Sequence, residues 1–165
     1  LLQVMSKIKN LDTISVRGER NVSEGILTVE GQLALRGFDF NDRALLQGVL
    51  ATPFVLDTNS GEIVIADFTP GEELRYPAGA THFSMRSSFA NLDFSTGLSN
   101  MTYSNVVSLP IDMTTATQTL TPTGVPIGGG TQLYFLLIEF FQEVNGVSYP
   151  LKNGAYNVLN VVDVV

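Results

Sequence analysis

Short apolar blocks, separated by Gly, Pro, Asn and Asp, set the rhythm of this chain. The strongest covers residues 133–141, Leu-Tyr-Phe-Leu-Leu-Ile-Glu-Phe-Phe, which is apolar on both faces of an extended backbone. That pattern predicts a central strand covered on both sides. Asn145-Gly146 follows, a dipeptide suited to a tight hairpin turn between this run and the last one. Over 156–165, Tyr156, Val158, Val162 and Val164 fall on one face and Leu159, Val161 and Val165 on the other, with only Asn157, Asn160 and Asp163 polar. A final strand apolar on both sides is predicted, and such a strand is unsafe at an open sheet edge.

Alternation predicts further strands at 33–40, 45–52, 62–68 and 81–94, and weaker patterns predict two more at 101–109 and 115–121. Residues 121–130 hold two prolines and four glycines and read as a loop. Turn signals every 8–12 residues, without an internal repeat, predict an all-β fold over 25–165: an antiparallel Ig-like β-sandwich of about seven to nine strands. A different period governs the start. Leu1, Leu2, Val4, Met5, Ile8 and Leu11 share one helical face, which predicts a short amphipathic helix over 1–11, joined by a polar linker at 12–24. Eleven residues do not hold a helix alone, so this segment is expected to dock on the β domain or on another subunit. Leu1 is not a translation start, and the chain is expected to be a processed or truncated form.

The 165 residues, 44% apolar, suffice for one domain with a real core. Sixteen acidic against nine scattered basic residues give a net charge of −7, which makes nucleic acid and anionic membranes poor partners. No apolar run approaches the roughly 20 residues that span a bilayer, so membrane insertion is not expected. The absence of Cys excludes disulfides and thiolate-bound metal.

Candidate chemistry is sparse. His82, the single histidine, would have to serve any Ser-His-Asp arrangement, yet no Gly-x-Ser-x-Gly elbow accompanies it and a structural role is expected. Asp57-Thr58-Asn59-Ser60-Gly61-Glu62 places oxygens at alternate positions, but its Gly is one place early for a calcium loop and the distal Glu is missing. A hairpin turn explains it better. Asp39, Asn41 and Asp42 fit a polar turn before a hard-cation site. Glu72 and Glu73 are adjacent and read as a solvated pair, and Gly128 to Gly130 lack the Lys-Ser/Thr of a phosphate loop. Asn21-Val22-Ser23 and Asn100-Met101-Thr102 match the N-glycosylation triplet. No cofactor, metal site or small-molecule substrate is expected, and neither is an enzyme, since no nucleophile, base and orienting group can be named together.

Three stretches carry a resemblance: Gly37-Phe38-Asp39-Phe40-Asn41, the segment from Pro77 to Phe83, and Glu139 to Gly146 continuing through Tyr149 to Asn157. Together they resemble a family of uncharacterised proteins common in Bacteroidota, of which this chain is similar to the C-terminal two thirds. The resemblance implies a basic, Gly-rich segment upstream of the helix and brings no activity or catalytic residues. It also makes Asp12-Thr13-Ile14 resemble the O-glycosylation signal of exported proteins of that group.

The charged fraction is only 15%, against about 25% for ordinary soluble domains. With apolar surfaces at both termini, this predicts a structural subunit that forms a homo-oligomer or polymer, as in an extracellular or cell-surface filament. The expected interface residues are Leu2, Met5 and Ile8 at the start and Tyr156, Val158, Leu159, Val161, Val162 and Val164 at the end. The alternative is a module binding a glycan or peptide through exposed aromatics, with Tyr76, Phe89, Tyr103 and Tyr149 as candidates.

Overall fold

The computed structural model describes residues 1–165. Nine strands form two antiparallel sheets, and short helices occupy the N-terminal third. The smaller sheet has the order β1-β2-β6, from β1 (Val55–Asp57), β2 (Glu62–Phe68) and β6 (Ala116–Leu120). The larger is built on two long neighbours, β3 (His82–Leu92) and β7 (Thr131–Val144), paired without interruption from His82↔Phe141 to Leu92↔Thr131. Each flank of this pair carries two short strands end to end. On β3 lie β4 (Ser99–Tyr103) and β5 (Val107–Pro110); on β7 lie β8 (Val147–Pro150) and β9 (Val158–Val164).

The alternation of β7 sends Tyr134, Leu136, Ile138 and Phe140 into the space between the sheets. There they meet Phe83, Met85 and Phe89 of β3 and, from the smaller sheet, Ile63, Ile65 and Leu120, all fully or almost fully buried. Tyr134 stacks on Phe89 with centroids 4.5 Å apart, and its hydroxyl donates to the Thr58 carbonyl at 2.6 Å, tying the large sheet to the β1–β2 turn. A second apolar cluster lies on the opposite face of β7. There α1 (Leu2–Asn10), α2 (Val22–Gly25) and α3 (Val29–Leu35) bring Ile8, Ile26 and Leu35 onto Ala90, Leu133, Val161 and Val164. A side chain at Gly25 would collide with the Ile8 carbonyl, so glycine is what lets α1 and α2 approach. The helix expected at 1–11 thus forms and docks on its own β domain.

The strands expected at 62–68, 81–94 and 115–121 are present, and that at 101–109 is present as β4 and β5 with a break at 104–106. Two other strands are not. Residues 33–40 were expected extended, but α3 takes the first of them, with the Thr28 hydroxyl capping the Gly31 amide at 3.0 Å. Leu35 is buried and Leu33 exposed, on opposite sides of the helix, whereas two alternate leucines imitate one face of a strand. Residues 45–52 hold the short helix α4 (Leu46–Val49), whose Leu46, Val49 and Leu50 are buried at i, i+3 and i+4. The linker expected at 12–24 is ordered around Asp12, and α2 begins at its end with Val22.

The end of the chain also differs from expectation. Asn145-Gly146 does turn a hairpin, with both residues at positive φ (51° and 76°), but its second strand is β8, not the 156–165 run. In β9 a bulge between the pairs Phe135↔Val161 and Tyr134↔Asp163 inserts Val162. Val164 therefore joins Val161 against the helices instead of sharing a face with Val158, which packs between the sheets.

Candidate interaction surface

The two faces of β7 are covered unequally. The inner face meets the small sheet, whereas the outer face, which carries Leu133, Phe135, Leu137, Glu139 and Phe141, meets helices only at its Leu133 end. Beyond that point Phe135, Leu137, Glu139 and Phe141 are all partly exposed. An open groove of about 270 Å³ follows this uncovered half, with Phe135, Leu137 and Leu159 as floor and Ser88, Arg86, Met101 and Tyr103 around it. Met101 and Tyr103, on neighbouring sites of one sheet, are 39% and 46% exposed. Phe40 extends the apolar surface, its ring 6.5 Å from that of Phe135 and edge-on to Phe38.

One charge stands at the groove. The Arg86 guanidinium lies 4.4 Å over the Tyr103 ring and has no carboxylate partner, the ion pairs of the chain being Arg36–Asp163 and His82–Glu143. No acidic residue lines the groove. It is an apolar surface with a positive rim on a chain of net charge −7.

The expected interface residues divide. Leu2 is 87% exposed, and Met5 is half-buried beside the helical cluster. Ile8, Val158, Val161 and Val164 are buried within the chain and present no surface to a partner, which corrects their assignment as contact residues. Tyr156, Leu159 and Val162 are partly exposed, and Leu159 belongs to the groove. The outer edge of β9 is also closed. Gly37 and Phe40 donate to the Val161 and Leu159 carbonyls at 2.6 and 2.9 Å, and Val161 donates to Phe38 at 2.9 Å. Strand addition at β9 is therefore blocked by residues 37–40. On the other flank the 121–130 loop does similar work: Thr123 donates to Tyr103, and the Thr102 hydroxyl to Gly124. β8 pairs with β7 alone.

The remaining candidates have structural surroundings. His82 Nδ1 shares a 2.9 Å hydrogen bond with the Thr81 hydroxyl, and its Nε2 lies 3.4 Å from Glu143; the same hydroxyl accepts the Glu143 amide. These contacts tie the start of β3 to the end of β7. Asp57 accepts from the Asn59 amide and from the Ser60 hydroxyl, which hold its carboxyl below the usual range, and Gly61 completes the β1–β2 turn at φ +76°. Asp39 and Asn41 belong to the β9 cover, with Asn41 Nδ2 donating to the Ala155 and Asn157 carbonyls. Asp42 is exposed in the same turn. Glu73 is not simply solvated: its carboxylate accepts the Thr69 amide at 2.7 Å at the start of α5 (Pro70–Glu73). Phe89 is fully buried and is no ligand platform, whereas Tyr76, Tyr103 and Tyr149 are exposed.

Arg86, Met101, Phe135 and Leu137 were not singled out in the sequence. The available signal was the two-sided apolar run of β7, which requires cover on both faces but does not say where cover ends. No helix is long and apolar enough to cross a membrane. No family model, curated protein or solved structure matches the chain.

Proposed function

We propose that this chain is a non-enzymatic β-sandwich acting through protein–protein contact, as a repeating subunit of an extracellular or cell-surface filament or similar particle. The observation that carries the reading is the apolar groove on the uncovered half of the large sheet, where exposed Met101 and Tyr103 stand beside Phe135, Leu137 and Leu159. Exposed apolar surface of this kind marks interaction sites. The low charge of the chain agrees with burial in an assembly. Strand addition at β9 is no longer part of the mechanism.

Ig-like topology is the finer form of the fold reading. If β4–β5 and β8–β9 each count as one interrupted strand, the sheets take the orders 1-2-5 and 4-3-6-7. These orders support an Ig-like reading, in which the fourth strand of the seven-strand Ig arrangement has moved to the second sheet. The likeness of the three stretches to the uncharacterised Bacteroidota family stays part of the proposal.

A second reading, a surface module binding a glycan or peptide, is favoured by one feature, the Tyr103 ring with its overlying Arg86 in an open groove. Negative-stain electron microscopy and sedimentation over a concentration series separate the two. Regular particles, or mass rising with concentration, are expected for the subunit; a monomer throughout would sink it and leave the binding module.

A further inference from the structure

Independently of the subunit reading, we infer that the cleft between β9 and residues 52–54 binds a neutral saccharide, one of whose hydroxyls donates to the side-chain oxygen of Asn160. The cleft holds about 450 Å³, within the roughly 300–1,000 Å³ of small-ligand sites. It lies on the face of the large sheet turned toward the small one, opposite the Arg86 groove, since Asn160 pairs with Leu136 and Val162 packs against the core between the sheets. Asn160 is 3% exposed, and its Nδ2 donates to the Gly37 carbonyl and the Asp39 carboxylate. Turning the amide over would set Oδ1 against those two acceptors, so its orientation is determined. That leaves Oδ1 pointing away from them, and no group of the chain donates to it. The side-chain atoms sealed from solvent without a partner belong to Ser87 and Asn91, so the Asn160 oxygen has an outlet, and the cleft that Asn160 lines is that outlet. An acceptor on so buried a residue calls for an O–H or N–H donor from whatever enters.

The rest of the wall selects the ligand. Leu46, Leu50, Phe54 and Val162 make it largely apolar, while Gln47 and Thr52 add polar groups without charge. Arg36 is the one charged residue on the cleft, and its guanidinium is already paired with Asp163. An acid or an amine would therefore meet no free opposite charge. An extended peptide finds no ladder to join at β9, because residues 37–40 close that edge. A neutral saccharide satisfies both kinds of wall: its C–H face packs on the apolar side chains, and its hydroxyls donate to Asn160 and exchange hydrogen bonds with Gln47 and Thr52. Bulges recur beside functional sites, and the bulge residue of β9, Val162, stands here next to Asn160.

The test is a proton–nitrogen NMR titration of the whole chain with glucose, galactose, mannose and N-acetylglucosamine, with acetate and tri-alanine as controls. Saturable shifts are expected with at least one sugar at the Asn160 carboxamide protons and at the Thr52 and Phe54 amides. Phe54→Ala removes apolar wall, and Gln47→Trp blocks the mouth from an exposed position on α4. Each variant, checked for an unchanged melting temperature, should weaken binding about tenfold or more, and Gln47→Trp decides the matter should Phe54→Ala misfold. Met101→Asp, in the Arg86 groove, should bind like wild type. The proposal is overturned by the absence of saturable shifts with every sugar, by sugar binding that Gln47→Trp leaves unchanged, or by shifts that Met101→Asp abolishes. Acetate or tri-alanine binding at Asn160 while the sugars do not would overturn the saccharide as its occupant. Each of these results leaves the subunit reading standing, since that reading rests on the opposite face of the large sheet.

Discussion

Asn160 Nδ2 donates to the Asp39 carboxylate at 2.9 Å across 121 residues of sequence. The same Asp39 oxygen accepts the Leu46 amide at 2.9 Å, and Asn160 also donates to the Gly37 carbonyl at 3.2 Å. Asn160, 3% exposed in an otherwise apolar strand, is therefore the buried anchor that holds residues 37–41 over the outer edge of β9. Residues 37–41 and 149–157 meet here, since Asn41 donates to the Ala155 and Asn157 carbonyls.

Removing either partner costs the other this hydrogen bond, leaving Asp39 with the Leu46 amide and buried Asn160 with the Gly37 carbonyl. Asn160→Leu or Asp39→Ala is expected to cost about 1–3 kcal/mol in urea unfolding. The Gly37 and Phe40 amides, which donate to β9, should lose hydrogen-exchange protection before the rest of the sheet. Unchanged protection at those two amides would show that the cover does not depend on this pair.

The helical layer makes opposite predictions for two residues of one helix. Ile8→Ala removes a fully buried side chain and should destabilise by about 2–5 kcal/mol. Leu2→Asp, at an exposed site, should stay within about 0.5 kcal/mol. Thermal or urea unfolding of the pair decides whether α1 packs on its own domain; equal effects would contradict the observed docking.

Burial, reinforced by the nearby Asp163 and Asp57 charges, pushes the Tyr134 hydroxyl up to about 12. A folded pKa raised above the unfolded value of 10.0 means that the contribution is complete below pH 10 and is lost as pH rises through about 12. In an ultraviolet titration of the five tyrosines, one should ionise late, and Tyr134→Phe should abolish that late phase. The variant should lose about 0.5–1.5 kcal/mol with the hydrogen bond to Thr58.

At Asp12 the sign is reversed. The carboxylate accepts the Ser15, Ile14 and Asn21 amides, and the Ser15 bond contributes most to a pKa lowered from 3.8 to about 2. The order it imposes on residues 12–21 is therefore complete above about pH 4 and fades as pH falls through about 2. Carboxyl and amide chemical shifts followed by NMR should report a midpoint near 2 at Asp12 and at the three amides together. A midpoint near 4 would remove Asp12 as the organiser of that loop.

Period-two and helical patterns were legible wherever neighbouring residues decided the structure. They located α1, β2, β3, β6 and β7, and the residue chemistry of Asn145-Gly146 located its turn. They failed at α3, where Leu33 and Leu35 mimic the strand period, and at α4, whose apolar residues fit either period over so short a span. Burial, a property of the folded chain, decides between them: Leu35 is inside and Leu33 outside. The bulge at Val162 had no local signature either, since every neighbour is apolar and only pairing to Phe135 and Tyr134 turns Val164 to the helices.

Composition and alternation alone established a β chain with one substantial core, an amphipathic start and an end strand that needs cover on both faces. Tertiary structure decided what provides that cover. Residues 37–41 close the β9 edge through Asn160 and Asp39, and the helices cover one end of the large sheet, leaving Phe135 and Leu137 half open beside Arg86. The reason is physical: alternation records that a side chain avoids water, but not which distant segment shields it. Where such segments run out is a matter of chain geometry, and it is there that the candidate interaction surface lies.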